Sequence, residues 1–180
     1  MAELEYKNNY LFGIKVSNET KVILLYSLGL FIFPFLITQQ LILGTLINAL
    51  LIKSSIDCKS KKVLLLSVVP SIAVLASGYV FGSLTYHVIY MLPFIWAGNL
   101  VLMIAMRKLF VESKQNYLLS ALIGASAKTM LLFSIAFVLM TYSFVPAVFL
   151  TVFGIVQFVT ATLGAMIVYA TRIVQSSFLK

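Results

Sequence analysis

The chain has 180 residues, 62% of them hydrophobic and only 10% charged, whereas a water-soluble domain carries about a quarter of its residues as charges. Its surroundings are therefore expected to be a lipid bilayer. The net charge of +8 does not point to nucleic acid, because the basic residues form short clusters between apolar runs and no continuous stripe. One cysteine, Cys58, and one histidine, His87, leave no basis for an intramolecular disulfide or a metal centre, and no cofactor is expected.

The first twenty residues, MAELEYKNNYLFGIKVSNET, hold three glutamates and no long apolar core. They read as a cytoplasmic segment lying on the membrane surface, not as a signal peptide. A membrane-crossing helix needs about 20 apolar residues to cover roughly 30 Å of hydrocarbon. That ruler gives six spans, near 21–38, 41–56, 63–81, 88–108, 117–141 and 145–171. The expected fold is an all-α integral membrane protein, a compact six-helix bundle forming one domain over 1–180. Little more than TQQ joins the first two helices, which predicts a tight hairpin, and Pro34 predicts a kink just before it.

Charge placement orients the bundle. Lys53, Lys59, Lys61 and Lys62 cluster where the second span gives way to the third, Arg107, Lys108 and Lys114 where the fourth gives way to the fifth, and Arg172 and Lys180 follow the sixth. The alternate connections, TQQ, GSLTYHVIY and TYSFVP, carry no charge. By the positive-inside rule both termini are expected in the cytoplasm of a multi-pass plasma-membrane protein. Tyr79, Phe81, Tyr86, Tyr90, Tyr142 and Phe144 gather at the outer helix ends, as an interfacial belt or as the roof of a pocket.

Inside the spans, one position breaks the pattern. Lys128 sits in ALIGASAKTMLLFSIAFVLM about eleven residues from the start of its helix, roughly 16 Å deep and beyond the reach of a snorkelling side chain. A charge at that depth costs about 2.5–3.5 kcal/mol on insertion scales and marks a functional position by default. Asn99 and Gln157 lie at nearly the same depth on two other helices, and Asn48 offers a fourth polar group on the second. Ser120, Gly124 and Lys128 share one helix face; Gly154, Gln157, Ala161 and Gly164 share another; Trp96, Asn99 and Met103 a third, where Trp96 offers a flat surface to a ring-shaped ligand. Ser67, Ser71 and Gly78 form a face of the third span beside Pro70. The amides also suit plain interhelical hydrogen bonding. Lys128 is harder to account for in that way, since Glu3, Glu5, Glu19, Asp57 and Glu112 all lie outside the spans. It is either deprotonated, solvated among amides, or answered by an anionic group on a ligand.

There is no GxxxxGK[ST] phosphate loop, so no ATP hydrolysis and no enzymatic activity is expected of this chain, and no intramembrane acid exists to relay protons. LGTLINALLI at 43–52, VVPSIAVLASG at 68–78, MLPFIWAGNLVLM at 91–103, ALIGASAKTMLLF at 121–133 and FGIVQFVTATLGAMIV at 153–168 occur in this order and spacing. In these stretches the chain resembles the substrate-binding S-components of energy-coupling factor (ECF) vitamin importers. The resemblance implies a six-helix subunit that captures a vitamin-like small molecule from outside and works with a transmembrane coupling subunit and two cytoplasmic ATPases. It points to Asn99, Lys128 and Gln157, with Asn48 and Trp96, as substrate-binding residues. Many members carry AxxxA in the first helix for docking on the coupling subunit; here LLYSLGLFIF leaves Ser27, Gly29 and Phe33 as the candidates. Two other readings stand beside this one: a self-sufficient oligomeric carrier or channel, and a membrane scaffold subunit without a small ligand.

Overall fold

The computed structural model describes residues 10–11, 14–15 and 17–178. Glu3, Glu5 and Lys180, which entered the charge reading, lie outside the described residues. A minimal antiparallel ladder, β1 (Tyr10–Leu11) with β2 (Ile14–Lys15), pairs Tyr10 with Lys15 and Leu11 with Ile14. Every other described element is helical.

Helix α1 (Asn18–Leu36) starts on the Ser17 side chain, which accepts from the Thr20 N–H. Pro34 lies inside its last turn without interrupting it, and residues 37–39 turn the chain directly into α2 (Gln40–Asp57), the tight hairpin expected. Helices α4 (Thr85–Ala105) and α5 (Tyr117–Thr141) follow, α4 running on into a π-helical stretch, Met106–Glu112, and α5 capped by Asn116. The sixth rod comprises α6 (Val148–Thr151), a π-helical turn (Val152–Val156) and α7 (Gln157–Phe178). Five segments are long and apolar enough to cross a membrane: Asn18–Leu36, Gln40–Asp57, Gly82–Glu112, Tyr117–Thr141 and Val148–Gln175.

The third expected span, 63–81, is a correction. It is a 3-10 helix (Lys61–Ser67) followed by α3, only Val69–Ser77, which ends on Gly78 at φ 68°. Pro70 explains the break: it has no N–H to donate and its ring excludes a preceding α turn, so it occupies the first turn of a new helix. The tighter 3-10 winding rises about 2.0 Å per residue against 1.5 Å in the α form, so the sixteen residues of these two pieces still reach about 27 Å. Height is kept while the regular hydrogen-bond ladder is lost.

Packing follows the small residues. A Cβ on Gly164 of α7 would lie 2.8 Å from both Ala49 N and Thr45 O, so α2 and α7 meet backbone to backbone. On Gly124 it would approach Ala105 Cβ and Leu102 Cδ1 at 3.1 Å, and on Gly98 it would meet Leu132, which seats α4 against α5. Three apolar clusters fill the bundle: one around Leu30, Leu51, Val63 and Met103, one around Ile52, Met106, Tyr117 and Val168, and one around Val88, Met91, Leu132 and Phe149.

The two ends differ in chemistry. Contacts of Glu19 with Ser60, of Arg107 with Lys59 and Ser60, and of Arg172 with Phe110 bring the basic segments together at one end. At the other, His87 Nδ1 lies 3.0 Å from Phe144 O and the Thr85 hydroxyl donates to the Gly78 and Gly82 carbonyls. The connections there, 37–39, 78–84 and 142–147, carry no charge.

Candidate functional site

Three helices place polar side chains at one level. Lys128, the twelfth residue of α5, is 2% exposed; its Nζ donates to Asn48 Oδ1 at 2.6 Å and to Asn99 Oδ1 at 2.8 Å. Each amide is in turn held by its nitrogen. Asn48 Nδ2 donates to Gly44 O and to Thr160 Oγ1 on α7, and Asn99 Nδ2 donates to the Ser67 carbonyl at the 3-10 to α junction. The amide oxygens therefore face the lysine because their N–H groups are committed elsewhere.

The cluster is preorganised by close packing. Gly44 admits Thr160, whose methyl would lie 3.0 Å from a Cβ there, and Gly164 brings α7 against Asn48 itself. Lys128 takes part in no ion pair; among the described residues these are Lys53–Asp57 at 2.7 Å and Arg107–Glu112 at 3.9 Å, both at the basic end. An ammonium offers three donors, and the two amide oxygens use two of them.

A cavity of about 80 Å³ adjoins this cluster. Asn48, Asn99, Lys128 and Gln157 line it at mid-depth, and Gln40, Val80, Phe81 and Val88 line it towards the charge-free end. Gln157 does not join the lysine. Its Oε1 is buried and has no hydrogen-bond partner among the described residues. A π-helical turn, in which Gly154 takes φ −97° and ψ −105°, lies just before it. Gly154 is required there, since a Cβ would come within 2.9 Å of Phe133.

Of the five residues singled out in the sequence, Asn48, Asn99 and Lys128 are in direct contact and Gln157 shares their cavity. Trp96 does not line it; its indole N–H donates to Ser71 Oγ at 2.6 Å, and Ser71 lines the cavity in its place. The aromatic surfaces on the cavity are Phe81 and Phe153, whose rings stack with centroids 6.4 Å apart. Tyr79, Tyr86, Tyr142 and Phe144 are exposed, as belt residues are. Thr160 was missed by the sequence reading, although Gly44, Asn48, Thr160 and Gly164 repeat one four-residue spacing on two helices. Of the docking candidates, Ser27 borders a shallow apolar groove with Leu24, Leu28, Phe31, Val69 and Ile72, while Gly29 abuts Leu50 and Phe33 packs inward.

Comparison with known proteins finds no matching family model, no matching curated protein and no matching solved structure.

Proposed function

We propose that the chain is a multi-pass plasma-membrane subunit that captures a vitamin-like small molecule in the cavity beside Lys128. The observation that carries this reading is the lysine itself: a buried amine held by two neutral oxygens, which as an ammonium has one donor to spare, on a cavity where Gln157 keeps an unpartnered carbonyl. A buried charge without a carboxylate is costly. A ligand acceptor placed on that third N–H offsets part of the cost, so the energy of burial becomes affinity. Phe81 and Phe153 suit a flat heterocycle above it.

In this reading both termini and the basic loops face the cytoplasm and the charge-free end faces outward, so ligand enters from outside. With no phosphate loop in the sequence, transport relies on partners, for which the ECF resemblance suggests a transmembrane coupling subunit and two ATPases. Asn48, Asn99, Lys128 and Gln157 are the binding residues, and Trp96 acts by fixing Ser71.

The test is to purify the chain, identify the co-purifying small molecule by mass spectrometry, and titrate it against wild type and Lys128→Gln. A hydrogen bond to a charged group contributes about 1.5–3 kcal/mol, so the variant is expected to bind about 10- to 150-fold more weakly. Unchanged affinity refutes the role of Lys128. The scaffold reading has one observation in its favour, that Lys128 is already held by protein oxygens; it expects no bound small molecule in the same preparation.

A further inference from the structure

The loop after α2 and the first turn of the 3-10 helix carry three exposed lysines, Lys59 in the loop and Lys61 and Lys62 in the helix, on a backbone held by hydrogen bonds. Every polar group of Ser60 is engaged: its N–H donates to Glu19 Oε1 at 2.6 Å, its carbonyl accepts from Arg107 Nη1 at 3.1 Å, and its hydroxyl accepts from the Lys62 N–H. Arg107 also donates to the Lys59 carbonyl. The neighbouring acids are committed within this clamp, Asp57 to Lys53 and Tyr26, Glu19 to Ser60, and Glu112 to Arg107. None of the three lysines forms an ion pair among the described residues.

Side chains three apart on a 3-10 helix eclipse one another, so Lys62 stands over Leu65, which is 72% exposed. A cation above an exposed leucine, at the end of apolar helices, matches a phosphate headgroup joined to an acyl chain. A soluble phosphate would use only the lysines, and an acidic protein would leave the leucine bare. We propose that Lys59, Lys61, Lys62 and Leu65 form a seat for an anionic phospholipid, with Arg107 and Glu19 as the residues that hold the seat in shape. This rests only on the membrane part of the reading above and is independent of small-molecule capture.

The experiment uses the full chain in nanodiscs of three parts phosphatidylcholine to one part phosphatidylglycerol, with bound lipids counted by native mass spectrometry. Wild type is expected to retain phosphatidylglycerol over phosphatidylcholine at a ratio about tenfold above that of the nanodisc, since juxtamembrane cations each attract anionic lipid. The triple variant Lys59→Gln, Lys61→Gln, Lys62→Gln is expected to lose most of that enrichment. Glu19→Ala separates a built seat from simple charge: it makes the face more positive yet removes the acceptor of the Ser60 N–H and so frees the loop, and enrichment falls if the seat is shaped and rises if only net charge matters. Retention of the two lipids in the nanodisc's own ratio by wild type, unchanged enrichment in the triple variant, or a rise in Glu19→Ala each overturns the proposal. A chain that fails to float with vesicles overturns the membrane reading as well.

Discussion

Removing Lys128 and removing one of its acceptors are unequal injuries. Lys128→Met leaves two neutral amide oxygens unpaired, at about 1–3 kcal/mol each before relaxation. Asn99→Leu leaves the lysine with a single acceptor and also orphans the Ser67 carbonyl. An uncompensated buried charge costs more than a neutral group, about 3–5 kcal/mol when one partner of a buried pair is lost. Thermal unfolding in detergent is therefore expected to rank wild type above Lys128→Met, and Lys128→Met above Asn99→Leu; the reverse order of the two variants would show that the lysine is not charged in the folded bundle. Much of this cluster was legible from depth alone, because a polar group in an apolar span has few places to go. The partner of each amide nitrogen was not legible, since that depends on which backbone carbonyls the 3-10 junction leaves open.

Between elements, the α2–α7 contact is the tightest, and it carries Asn48. Gly164→Ala inserts a methyl 2.8 Å from two backbone atoms that cannot rotate away, so α7 must move. Overpacking of this kind costs about 1–3 kcal/mol. Gly78→Ala meets nothing within 4 Å but forces a side chain into a left-handed backbone, at about 1–2 kcal/mol. Both variants lower the unfolding midpoint, and only Gly164→Ala is expected also to weaken ligand binding; equal loss of binding in the two would disprove the positioning role of that contact. Helix existence was readable from apolar length, and α5 matches its expected bounds, 117–141, to the residue. The third span and the π-helical turns were not, because a hydropathy window counts apolar residues and does not distinguish i+3, i+4 and i+5 hydrogen bonding.

For the molecule as a whole, the asymmetry of charge makes orientation measurable. Cys58 is buried, and its desolvated surroundings push its thiol above the ordinary range, so it reacts slowly with maleimides. It leaves a quiet background for introduced cysteines. In intact cells, a membrane-impermeant maleimide is expected to label Tyr142→Cys, which replaces a 72% exposed side chain at the charge-free end. Lys114→Cys, at the basic end, is expected to label only after permeabilisation. The opposite pattern would invert the bundle and place the charge-free end, towards which Gln40, Val80, Phe81 and Val88 line the cavity, in the cytoplasm. The gathering of basic segments at one end was plain in the sequence, because alternate loops differ completely in charge.

Chain order gives the lysine a history. Asn48 and Asn99 are both synthesised before Lys128, so both acceptors are present in the growing chain before the amine they bind. Thr160, which steadies Asn48, comes later. Along the chain the lysine thus follows both of its acceptors and precedes the residue that steadies one of them. A fragment stopping before residue 128 keeps the Gly44 and Ser67 carbonyls that hold the two amide nitrogens and lacks only the partner of the two amide oxygens.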